Sequence, residues 1–66
     1  MSTEDAADRL LHATLAYMDS RAALADALKA AASKADLLLA QHEVREMRSR
    51  LARVCAEVHR ELRSDG

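Results

Sequence analysis

The chain has 66 residues, 50% of them apolar and 32% charged, with a formal net charge of −1, which leaves room for a single domain. Ala and Leu supply most of the apolar residues; Ile, Phe, Trp and Pro are absent and the only Gly is Gly66. β-Hairpins, nucleotide-binding loops and barrels need turn and strand residues that are missing here, so an all-α chain of closely touching helices is the expected class.

The first element starts near residue 3. Ser2 and Thr3 are hydroxyl residues able to cap free backbone amides, and the acids Glu4, Asp5 and Asp8 suit the positive pole of a helix. Apolar residues then recur as doublets every seven positions: Leu10-Leu11, Tyr17-Met18, Leu24-Ala25, Ala31-Ala32 and Leu38-Leu39, with Leu15 and Leu28 filling in. That broad stripe predicts a helix over about 3–32. Ser33, with Asp36 at capping-box spacing, places a turn near 33–34, with Gln41-His42 as the next candidate.

The second helix is expected over about 35–63. Val44, Met47, Leu51, Val54 and Val58 alternate steps of three and four, a tight heptad seam flanked by Cys55 and Leu62. Arg60 and Arg63 suit the negative pole, before Ser64-Asp65-Gly66 ends the helix. The two apolar series do not share a register, because Leu38 to Val44 is six residues where a continuous heptad needs seven. An antiparallel two-helix hairpin of nearly equal arms follows, a helical coiled coil spanning 1–66 as one domain. It brings Glu4, Asp5 and Asp8 beside Arg60 and Arg63, whereas parallel pairing of single helices stacks the acidic ends on one another. The alternative is a single long helix in a coiled-coil dimer. No Gly or Pro marks the turn, Ala30-Ala31-Ala32 is strongly helix-forming, and Ala16, Ala23, Ala30, Leu37, Val44, Leu51 and Val58 cross it at unbroken spacing.

Residues with catalytic potential are scattered. Cys55 and His59 stand at i, i+4, but two ligands do not make a zinc site, which needs three or four, and His12 and His42 lie elsewhere. A nucleophilic Cys55 needs a base and a pocket that a two-helix hairpin does not offer; a buried cysteine beside a half-exposed histidine is the plainer reading. Glu57 and Glu61 sit one turn apart on an expected exposed face, with nothing to separate their protonation. No enzyme, cofactor, metal site or small-molecule substrate is therefore expected. Arg45, Arg48, Arg50 and Arg53 form the densest positive cluster and are candidate contacts for an anionic partner. Glu46 lies among them and Glu43 and Glu57 flank them, Glu46 and Arg50 have the i, i+4 order of a local pair, and no aromatic residue accompanies them to stack on bases. A salt-bridged helix face is favoured over nucleic-acid binding.

A domain this small seldom supplies enough core of its own, and a lone cysteine cannot staple it, so association with another chain is the remaining source of stability. The candidate protein interface is Leu10, Leu11, Leu15, Tyr17, Met18, Leu24, Leu28, Leu38, Val44, Met47, Leu51, Val54 and Val58, with Tyr17 as the single aromatic anchor. The expected function is a non-enzymatic protein–protein interaction module, a small helical subunit or assembly factor. It acts by burying its Leu/Ala stripe against partner helices, either of a second copy that completes a helical bundle or of a different protein. In length, hairpin pattern and excess apolar surface the chain is similar to the small co-chaperones of type III secretion needle subunits, although their turn-forming glycines are missing. That resemblance implies holding an aggregation-prone helical partner. A further alternative is an RNA-binding four-helix-bundle dimer that aligns two Arg45 to Arg53 strips, an architecture similar to the small antiparallel hairpin dimers that bind paired RNA loops, although no motif of theirs is matched. The unpaired thiol, the acidic start and the lack of an apolar run near 20 residues point to the cytoplasm, with no membrane partner.

Overall fold

Glu4 and Asp5 in its first turn and Lys29 in its last complement both poles of the first helix, α1, which runs Thr3–Lys29; Asp36 and Arg63 do the same for α2, Lys34–Ser64. These bounds come from a computed structural model that describes residues 3–64. The Ser2 cap and the Asp65-Gly66 stop lie outside the described residues, as does the side chain of Thr3. The two helices fold back on each other as an antiparallel hairpin, so a single continuous helix is excluded. The hairpin measures 49 × 15 × 11 Å. Its radius of gyration is 15.1 Å, where a compact domain of this length has about 11 Å: a rod two helices wide.

The reversal comes earlier than the sequence predicts, at 30–33, and α1 stops at Lys29 and not near 32. Ala31 takes a left-handed conformation, φ 54°, normally left to glycine. Around it the Ala32 N–H donates to the Ala27 carbonyl at 3.0 Å and the Ala31 N–H to the Leu28 carbonyl at 3.2 Å, the paired bonds of a Schellman stop. Ser33 then caps α2: its Oγ accepts from the Asp36 N–H at 3.2 Å, and its carbonyl accepts the first helical bond, from Leu37, at 3.0 Å. The seven-residue series running from Ala16 to Val58 is thus cut at Ala31. Four orphan carbonyls and four orphan amides meet in the space of the turn, and local bonds satisfy several of them without Gly or Pro.

The seam between the helices is legible from burial. On α2 it comprises Leu37, Ala40, Val44, Met47, Leu51, Val54, Val58 and Glu61, all half-buried except the buried Val58. On α1 the most buried residues are small: Ala6, Ala13 and Ser20, with Ala27 half-buried at the next seven-residue step. Leu10, Tyr17 and Leu24 alternate with them and are half-buried. Small residues at every second seam position let the backbones approach closely, which is also why no large side chain is fully buried. Ser20 fits because its Oγ donates to the Tyr17 carbonyl at 2.7 Å, so no polar atom is stranded.

One polar clasp closes the open end. Arg9 on α1 donates to Glu61 at 2.7 Å and lies 3.5 Å from Glu57, both on α2. Glu57 and Glu61 are therefore not simply a solvated pair: Glu61 is half-buried in the seam, and both acids receive the same guanidinium. Cys55 also departs from expectation. It is exposed, one residue past the half-buried Val54 and outside the seam.

Candidate interaction surface

The doublets on α1 resolve into two faces. The first member of each, Leu10, Tyr17 and Leu24, turns into the seam; the second, Leu11, Met18 and Ala25, is exposed. Leu15 and Ala22 fall between the exposed members, so Leu11, Leu15, Met18, Ala22 and Ala25 repeat with the four-three spacing of a second seam. At 100° per residue this outer stripe lies about 150° around α1 from the face that meets α2. Its large members are well exposed: Leu11 54%, Leu15 46% and Met18 57%.

Further apolar groups gather at the turn end. Leu28, Leu38 and Leu39 remain 59%, 55% and 65% exposed there. Of the sequence-derived interface residues, then, Leu10, Tyr17, Leu24, Val44, Met47, Leu51, Val54 and Val58 are used within the hairpin, whereas Leu11, Leu15, Met18, Leu28 and Leu38 are left outside it. Tyr17 is half-buried in the seam, with the Arg21 guanidinium 5.8 Å from its ring centroid.

The four arginines do not form one strip. Arg45 and Arg48 lie to one side of α2 and Arg50 and Arg53 to the other, so together they wrap about 200° of its solvent side at 100° per residue. All are exposed. Arg50 shares a shallow cleft of about 350 Å³ with Arg9, His12, Ala13 and Val54, where Arg9 is already engaged by Glu57 and Glu61. Glu46 lies 3.8 Å from His42, one turn back. Cys55 and His59 are both exposed, and among the described residues no group of three or more His, Cys, Asp or Glu side chains could hold a metal ion.

The positions that sequence reasoning missed are Ala6, Ala13 and Ser20. Their signal was a strict seven-residue recurrence of small side chains beside the larger Leu stripe. Among the described residues no helix is long and apolar enough to cross a membrane. No family model matches the chain, and no curated protein or solved structure is found to be similar to it.

Proposed function

We propose that the protein is a non-enzymatic interaction module whose working surface is the outer stripe of α1, Leu11, Leu15, Met18, Ala22 and Ala25. One observation carries this reading: closing the hairpin uses only one face of α1 and leaves a second, regularly spaced apolar face in water. On a domain this size such a face is costly to expose, and its four-three spacing is that of a seam into which a partner helix packs. The thin inner core gives a second reason for association, since burying the outer stripe adds apolar area that the hairpin lacks. The exposed thiol of Cys55 suits a reducing compartment and hence the cytoplasm.

The test is a Met18→Glu variant compared with the wild type, in solution mass and in affinity capture from the native source. Met18 is outside the seam, so helicity is expected to stay within about 10% of wild type, a surface substitution being nearly neutral. Whatever the wild type binds, itself or another protein, is expected to be lost. Equal retention by both chains rejects the outer stripe as the working surface.

A further inference from the structure

The outer stripe is asymmetric along its length in two respects. Its N-terminal half is large, Leu11, Leu15 and Met18, and its C-terminal half is small, Ala22 and Ala25. The same four-three series begins one step earlier on Asp8 and ends one step later on Lys29, both exposed, so a negative charge closes one end and a positive charge the other. Laid parallel on its own copy, the stripe sets large on large and small on small, with Asp8 facing Asp8 and Lys29 facing Lys29. Laid antiparallel about a centre beside Met18, it brings Leu15 over Ala22, Leu11 near Ala25, and Asp8 to Lys29 at both ends. Large against small on either side of the central Met18 pair fills the layer more evenly than the parallel arrangement, and opposite charges meet instead of like ones.

We propose that the occupant of this stripe is a second copy of the chain, docked α1 against α1 in an antiparallel, two-fold register. This deepens the reading of the stripe as the working surface and rests on it. Because the stripe lies about 150° from the hairpin seam at 100° per residue, the product is a flat row of four helices, α2, α1, α1, α2. A square bundle needs contact faces roughly 90° apart and does not fit. Two-fold symmetry makes every contact occur twice, so the Asp8–Lys29 pair clamps both ends of the row. Asp19 stands on the rim near the centre and is brought towards its own copy, a solvent-screened repulsion smaller than the gain from the buried stripe.

Sedimentation equilibrium on the full chain, with helicity recorded on the same samples, tests this. The wild type is expected to be a dimer, and Leu15→Asp a helical monomer, with affinity weakened by about a hundredfold or more. Asp8→Lys and Lys29→Asp are each expected to weaken the dimer by about tenfold, since each turns two attractive pairs repulsive, and the double variant to recover to within about threefold of wild type. In a Cys55→Ser chain, oxidation is expected to cross-link Met18→Cys but not Leu15→Cys, since only the residue at the centre meets its own copy. A wild-type monomer at all concentrations overturns self-pairing while leaving the stripe available to a different helix, which the Met18→Glu capture experiment decides. A dimer indifferent to Leu15→Asp forms through another surface and likewise overturns self-pairing through the stripe. A Leu15→Asp-sensitive dimer without recovery in the double variant, or cross-linked through Leu15→Cys, overturns the antiparallel register.

Discussion

Two single residues set how the hairpin closes. Ala31 sits at φ 54° with a Cβ that this conformation crowds, at a cost of about 1 kcal/mol. Ala31→Gly removes that strain, and although glycine also loosens the unfolded chain, the variant is expected to be more stable by about 0.5–1 kcal/mol in urea unfolding. An unchanged or lower midpoint contradicts the left-handed stop. Ser20 is the other: it is 6% exposed at a point of close helix approach. Ser20→Ala keeps the spacing and is expected to be nearly neutral, because the hydroxyl bonds only to its own helix. Ser20→Leu inserts a side chain where there is no room and is expected to cost about 1–3 kcal/mol, read from the same unfolding curves.

At the level of the elements, α2 could be read almost directly and α1 could not. The α2 seam is built of Val, Leu and Met against a strongly polar background, so Val44, Met47, Leu51, Val54 and Val58 announce their face. On α1 the adjacent pairs Leu10-Leu11 and Tyr17-Met18 offer two faces of equal apolarity. The choice between them is made by Ala6, Ala13 and Ser20, residues whose contribution is smallness and not hydrophobicity, a signal that hydrophobic periodicity does not register. The turn falls earlier than the periodicity predicts for a related reason: Ala30-Ala31-Ala32 has high helix propensity, and the stop depends on capping bonds that form only once the chain reverses. The Ser33 cap is legible in the sequence because side-chain capping is local. The division of faces makes opposite predictions for similar substitutions. Val54→Asp places a charge inside the seam and is expected to destabilise the hairpin by about 3 kcal/mol, losing most of its helicity by circular dichroism, whereas the outer-face change Met18→Glu leaves helicity in place. Equal helicity in the two variants contradicts this division into a packed seam and a free outer face.

On the scale of the whole molecule, the thin core and the leftover stripe are consequences of one design. Helices that approach closely through Ala and Ser bury little area per contact, and only Ala6, Ala13, Val58 and Ser20 are buried in the described hairpin. Such a chain folds alone with modest stability, and the proposed pairing, by burying Leu11, Leu15 and Met18, adds to it through linkage. Coupling of this kind makes thermal stability depend on concentration. A tenfold rise in chain concentration favours a dimer by RT ln 10, about 1.4 kcal/mol per dimer and half that per chain, which for a domain near this size moves the melting temperature by about 3–6 °C. The wild type is therefore expected to melt higher as it is concentrated, followed by circular dichroism at fixed heating rate. Leu15→Asp is expected to melt at one lower temperature whatever its concentration, because its hairpin folds alone. If the wild-type curve is equally flat, the hairpin is stable without a second copy, and the outer stripe contributes nothing to folding through self-pairing.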